Sequence, residues 1–118
     1  HAGGLRYHGA GMIISQLIKD GYMYGVDIPQ SESFEAGMLF ARTEGIIPAP
    51  ESCHAIAATI REAMKAKEAG EEKVILFCLS GHGLIDMPSY ESYINGDLHD
   101  YAVSDEEIKK FLATVPEV

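Results

Sequence analysis

The chain has 118 residues and a hydrophobic content of 47%, enough for one modest core, so we expect a single domain over residues 1–118. Its formal net charge of -9 would oppose contact with phosphate backbones, which excludes nucleic acid as a partner. The longest apolar run, at residues 74–79, is too short to cross a bilayer, so we expect no membrane partner. Because the sequence begins at His1 rather than at Met, we expect a piece of a longer, soluble polypeptide.

Four segments have the apolar spacing or the flanking residues of helices. The predicted ranges are 9–20, 31–43 and 52–69, with a fourth helix that is opened by Ser104. Gly21 and Gly70 follow the first and third helices and can adopt the left-handed conformation that ends many helices. Ser31 is the expected N-cap of the second helix. Residues 86–103 are expected to form turns.

Two further segments have the composition of strands. Residues 22–28 are rich in strand formers and end at Pro29, and residues 74–79 form a continuous apolar run that is typical of a strand covered on both faces. Because a long, helical connection separates them, we predict an α/β fold, a parallel sheet in a three-layer unit. Ligands of open parallel sheets bind at the carboxyl ends of strands. The residues that follow the second strand, 80–83, are therefore the first candidate site.

The two cysteines, Cys53 and Cys78, lie in helical or apolar stretches. We therefore expect two buried free thiols in a reducing cytoplasm rather than a disulfide.

The first candidate site has the sequence Ser80-Gly81-His82-Gly83. A serine hydrolase would require a glycine two residues before the serine, and that position is Cys78. A zinc site built on Cys78 and His82 lacks a second pair of ligands at a suitable spacing. The remaining alternative is a tight turn made by the two glycines, without any chemistry.

Residues 44–51, with the sequence EGIIPAPE, are the second candidate site. Glu44 precedes apolar residues that Pro48 and Pro50 hold stiff, as expected of a rigid wall beside a pocket. The alternative is an ordered surface loop with Glu44 in solvent. We expect Glu51 to stabilise the start of the following helix and His54 to be a structural hydrogen-bonding residue.

Taken together, the two candidate segments resemble the signature around the cofactor ring in tryptophan synthase β chains, in the same order and at a similar separation. The first resembling segment, residues 41–55, reads ARTEGIIPAPESCHA, and the second, residues 74–83, reads VILFCLSGHG. The opening of the chain, HAGGLRYHG, resembles the second type of β chain. The chain is thereby identified as similar to the C-terminal part of a fold-type-II enzyme that depends on pyridoxal phosphate.

The resemblance implies a lyase that makes L-tryptophan from indole and L-serine by β-replacement. Ser80 would place its hydroxyl against the pyridine nitrogen of the cofactor, and because a hydroxyl does not hold that nitrogen protonated, the ring would be a mild electron sink suited to replacement. Glu44 and Gly45 would lie beside the ring. Gly81 and Gly83 would let the chain pass close to the cofactor.

The chain also departs from the common β chains. Arg6 stands where they have an acidic residue that helps to hold the closed lid, which implies a different closing contact or a different substrate. Residues 82–86 replace the charged run Arg, Gly, Asp, Lys, Asp of the common type. The family implies a homodimer for the full-length protein, while binding of an α subunit and the choice between serine and phosphoserine stay open.

Several catalytic parts of the family lie in segments that precede the resembling region. These parts are the lysine that forms the Schiff base, the glycine-rich phosphate cradle and the acid–base glutamate, and the two signature segments contain no lysine. We therefore predict no catalytic residue in this chain and no activity for it in isolation. The alternatives are a stand-alone binding or regulatory module that retains half of a cofactor site, and a purely structural interaction domain.

Overall fold

The computed structural model of the chain describes residues 3–5, 9–101 and 103–114. These residues form one short 3-10 turn, Gly3–Leu5, and five α-helices. The helices are α1 (Met12–Lys19), α2 (Gln30–Glu44), α3 (Pro50–Ala69), α4 (Met87–Ile94) and α5 (Asp105–Leu112). No helix in this described part combines the length and the apolar character needed to span a membrane.

The core lies where α2 packs against α3, with α4 and the 3-10 turn as smaller contacts. One cluster of buried side chains contains Ile28, Ala36, Ile56 and Ala57. A second cluster joins three helices and contains Phe34 of α2, Cys53 of α3 and Tyr90 of α4. The second cluster lies directly beneath the candidate site, as described below.

The helix ends follow local rules that the sequence displays. Gly21, Gly45 and Gly70 have positive φ angles of 78°, 72° and 66°, so each provides the left-handed residue that follows a helix. Ser104 accepts a hydrogen bond from the backbone N–H of Glu107, whose carboxylate in turn accepts one from the Ser104 backbone N–H, a capping box. The four predicted helices are therefore confirmed, with predicted ends that differ from the observed ends by at most three residues.

Two local predictions are wrong. Ser31 does not cap α2, because the helix begins one residue earlier, at Gln30. The backbone N–H and the hydroxyl of Ser31 both donate to the carboxylate of Asp100 instead. Residues 86–103 contain a helix, α4, in place of turns only. Pro88 lies in the first turn of α4, where backbone N–H groups have no acceptor within the helix. The N–H that proline lacks therefore costs the helix no hydrogen bond.

Neither predicted strand is formed by the described residues, whose only ladder contact is an isolated bridge between Pro48 and His82. The parallel three-layer sheet is therefore not confirmed. Residues 74–79 nevertheless alternate as a strand does: Val74 and Leu76 are 100% and 95% exposed, while Ile75 and Phe77 are partly covered. Phe77 packs edge-on against Phe40 of α2, with ring centroids 5.9 Å apart. A strand needs neighbours for its backbone hydrogen bonds, and the described residues place none beside this segment.

Both cysteines are free thiols, as predicted, but only Cys53 is buried. Cys78 is exposed because it lies on the same uncovered side of residues 74–79 as Leu76.

Candidate functional site

The two candidate segments, 30 residues apart in sequence, lie side by side in the structure. The backbone N–H of Gly83 donates to the carbonyl oxygen of Ile47 at 2.8 Å, and the N–H of Ala49 donates to the carbonyl of Gly81 at 3.3 Å. We call residues 45–49 the proline loop, residues 80–83 the serine–glycine turn, and their contact the junction. The fold thus brings together the segments that carry Glu44, Gly45, Ser80, Gly81 and Gly83.

The two glycines of the turn are required by the packing of the junction. A Cβ on Gly83 would lie 2.5 Å from the carbonyl oxygen of Pro48 and 3.0 Å from a ring carbon of Tyr90. Gly81 has a φ of 80°, which a residue with a side chain rarely adopts. The close approach that the structure shows at Gly83 is therefore to the proline loop, and an approach to a cofactor stays a prediction.

Ser80 has a fixed backbone and an exposed position. Its carbonyl oxygen accepts a hydrogen bond from the hydroxyl of Ser52, a residue of the first turn of α3 that is only 3% exposed. The Ser80 hydroxyl makes no hydrogen bond to any of the described residues. Ser80 therefore presents a polar group from a turn whose main chain is already held.

Glu44 and Gly45 form the other side of the junction. Glu44 is the exposed last residue of α2, and the left-handed Gly45, whose N–H donates to Ala41 at 3.1 Å, turns the chain into the proline loop. Ile46 is half-exposed, whereas Pro48 and Ala49 are buried. The proline loop is therefore buried at its C-terminal end and exposed at its N-terminal end, next to the Glu44 carboxylate.

Tyr90 of α4 locks the proline loop, and the sequence did not predict this role. Its hydroxyl donates to the carbonyl oxygen of Pro48 at 2.6 Å and lies 3.2 Å from Sγ of Cys53. Burial raises the pKa of the Tyr90 hydroxyl, and burial likewise raises the pKa of the Cys53 thiol, so both groups remain protonated and neutral near pH 7. A usable signal existed: Tyr90, Tyr93 and Ile94 have helical spacing after Pro88.

The start of α3 holds the opening turn of the chain. The backbone N–H of Gly4 donates to the carboxylate of Glu51 at 2.8 Å, a tertiary contact that the sequence did not predict. Arg6, the predicted lid contact, lies outside the described residues. His54 is a structural hydrogen-bonding residue, as predicted, with Nδ1 2.9 Å from the carbonyl of Pro50 and 3.2 Å from the Ser33 hydroxyl. In the described ranges no group of three or more His, Cys, Asp or Glu residues is arranged to hold a metal ion.

No protein-family model matches the chain. Among curated proteins, it is 59% identical over 100 residues to "Tryptophan synthase beta chain 2" of Aquifex aeolicus, a match that covers 85% of this chain. It is 61% identical over 98 residues to the protein of the same name from Methanosarcina mazei, and 53% identical over 116 residues to that of Pyrococcus furiosus. The chain is homologous to part of the tryptophan synthase β chain.

The predicted resemblance, including that to the second type of β chain, is thereby confirmed. The chain spans only 23% of the length of the Aquifex relative and 26% of the Pyrococcus relative. The activity of those longer proteins is therefore a matter of proposal for this chain.

Proposed function

We propose that this chain is the C-terminal part of a tryptophan synthase β-type enzyme that makes L-tryptophan from indole and L-serine with pyridoxal phosphate. The names and the sequence identity of the curated relatives support this assignment. The observation that carries it is the junction, which fixes the backbone of Ser80 and leaves the Ser80 hydroxyl without a partner among the described residues.

The residues at the junction fit the ring side of pyridoxal phosphate. An unbonded hydroxyl on a held turn can donate to an unprotonated pyridine nitrogen, and it has no charge that would keep that nitrogen protonated. Glu44 and Gly45, at the open end of the proline loop, would border the ring, and Gly81 would permit a close approach of the main chain. Bound pyridoxal phosphate supplies the electron sink for β-replacement, and the chain supplies its orientation.

The chain is not expected to catalyse the reaction in isolation. The two signature segments contain no lysine to bind the cofactor covalently, and the junction contains no glycine-rich loop that leads into a helix and could cradle its phosphate. We infer that these groups lie in other parts of the longer polypeptide. The chain would then contribute the ring side of a site that is completed elsewhere.

The same proposal extends to the fold and the assembly of the longer protein. Residues 74–79 would become a strand of the parallel sheet, as the alternating exposure of Val74 to Phe77 suggests, and Arg6 would contact the substrate lid. The protein would be a cytoplasmic homodimer, as the family implies. Indole and L-serine are the proposed substrates, with phosphoserine as a test case for the donor.

The test is tryptophan formation by the full-length protein with indole, L-serine and added cofactor, compared with the Ser80→Ala variant. We expect Ser80→Ala to weaken cofactor binding by about tenfold, the effect of losing one hydrogen bond of about 1.4 kcal/mol, and to slow replacement without lowering the melting temperature. Ser92→Ala, which removes a hydroxyl that only bonds within α4, is the matched control and should change neither quantity.

Absence of tryptophan from the unmodified enzyme, with or without phosphoserine as donor, would contradict the proposed reaction. Unchanged cofactor affinity in Ser80→Ala would remove Ser80 from the site. Ser80→Asp adds a second check, because a carboxylate favours the protonated pyridine nitrogen. We expect that variant to retain the cofactor and to lose selectivity for replacement over competing reactions of the amino acid.

A further inference from the structure

The junction is held by side-chain hydroxyls as well as by backbone hydrogen bonds. Ser52 donates to the carbonyl of Ser80, on the turn, and Tyr90 donates to the carbonyl of Pro48, on the loop. Both donors are almost fully buried, with 3% and 2% of their surface exposed. Each of the two segments is therefore held by one hydroxyl from a neighbouring helix.

The direction of these hydrogen bonds follows from donor and acceptor chemistry. The Pro48 carbonyl can only accept, so the single hydroxyl proton of Tyr90 is committed to it. The Tyr90 oxygen then accepts from the thiol of Cys53, 3.2 Å away. The Cys53 thiol thus donates to the Tyr90 oxygen, and the Tyr90 hydroxyl donates to the Pro48 carbonyl. Each of these donors has its acceptor inside the fold.

Tyr90 is closely packed by its neighbours. Its ring meets Phe34 edge-on, with centroids 5.1 Å apart. A Cβ on Gly37 would lie 3.0 Å from the Tyr90 hydroxyl, and a Cβ on Gly83 would lie 3.0 Å from its ring. The hydroxyl is thus directed at the proline loop by contacts with α2 and with the turn itself.

We propose that Tyr90 and Ser52 are positioning residues of the cofactor site, which hold the serine–glycine turn and the proline loop in the arrangement that presents the Ser80 hydroxyl to the ring. This inference rests on the proposed function and adds to it two buried residues that we expect to touch neither cofactor nor substrate. Their effect on the cofactor passes through two backbone carbonyls. Loss of either hydroxyl leaves a carbonyl of the junction without its donor and loosens one side of the junction.

The first measurement is hydrogen exchange in the full-length protein, because it reports on the junction without any cofactor. In Tyr90→Phe and in Ser52→Ala, we expect the Gly83 amide, which bonds to Ile47, to exchange about three- to tenfold faster, the effect of one net hydrogen bond. Tyr93→Phe is the matched control for Tyr90→Phe, since Tyr93 is on the same helix and its ring also contacts Phe34. Ser33→Ala is the control for Ser52→Ala, since Ser33 is a buried serine bonded to His54 and Pro50 rather than to the turn.

The second measurement is cofactor binding, by titration and by the absorption and fluorescence of the bound cofactor. We expect Tyr90→Phe and Ser52→Ala to weaken binding by about three- to tenfold and to shift the spectrum, whereas both controls keep the spectrum of the unmodified protein. In the Ser80→Ala background, Tyr90→Phe should cause little further loss of affinity, because the group that it positions is already absent. A purely structural effect of Tyr90 would instead be additive with Ser80→Ala.

The outcomes separate this inference from the proposed function. If the unmodified full-length protein binds no pyridoxal phosphate, the proposed function fails and the positioning role fails with it. If the protein binds the cofactor and Ser80→Ala alters binding, but Tyr90→Phe and Ser52→Ala behave as their controls do, only the positioning role is overturned. Full additivity of Tyr90→Phe with Ser80→Ala would also overturn it.

Discussion

The serine–glycine turn of the junction directly follows residues 74–79 in sequence, yet the junction and residues 74–79 differ in what surrounds them. At the junction, Pro48 and Tyr90 are buried, and the carbonyls of Pro48 and Ser80 each have a donor. Immediately before it, Val74 and Leu76 are almost fully exposed although both are apolar. The helices of the chain therefore complete the junction, whereas the described residues leave one side of the preceding segment uncovered.

This difference separates two levels of organisation. The junction needs only α2, α3 and α4, which lie close to it in sequence and in space. A strand in a parallel sheet needs neighbouring strands for its hydrogen bonds and a covered second face for its apolar side chains. The segments of the proposed site are therefore held together in a chain whose described residues form no sheet.

The strongest test of the packed side of the comparison is Phe34→Ala. Phe34 is among the largest fully buried side chains and contacts both Tyr90 and Tyr93. We expect a loss of about 4 kcal/mol in the free energy of unfolding of the full-length protein, from lost burial and a residual cavity. Urea unfolding measures this loss in free energy, and Phe34→Leu is the milder control. A loss below about 1 kcal/mol would show that this cluster is not a core of the full-length protein.

Leu76→Ala tests the open side of the comparison. If residues 74–79 are covered in the full-length protein, as we propose, we expect the variant to lower the free energy of unfolding by about 3 kcal/mol, as at other buried leucines. Leu76→Ile, which conserves volume and suits a strand, should cost far less. A change within about 0.5 kcal/mol for Leu76→Ala would instead show that this side remains in solvent and would contradict the proposed sheet.

Gly83→Ala sharpens the comparison at the point where the two regions meet. The added Cβ would lie 2.5 Å from the Pro48 carbonyl oxygen, so the loop or the turn must move, at a cost of about 2 kcal/mol in unfolding free energy. Gly25→Ala is the control, because a Cβ there meets nothing within 4 Å. Equal stabilities of the two variants, measured by urea unfolding, would mean that the junction is not tightly packed in solution.

Residues that act through local contacts were predictable from the sequence. The stops at Gly21 and Gly70 and the cap at Ser104 each depend on hydrogen bonds within about five residues, and all three predictions are confirmed. The resemblance to β chains predicts Ser80 and Glu44 as site residues without any structure, and both assignments stay predictions. The cap assigned to Ser31 failed because Asp100, 69 residues away, binds its hydroxyl.

The sequence by itself determined where α1, α2 and α3 end, which family the chain resembles and which two segments form the candidate site. Only the tertiary structure decided which hydroxyls hold those segments, because Ser52 and Tyr90 bond to carbonyls 28 and 42 residues away in the chain. It also decided that Cys53 is buried and Cys78 exposed, although both lie in apolar or helical sequence. The physical reason is range: helix signals act within a turn or two, whereas burial and long-range hydrogen bonds depend on which distant residues pack against them.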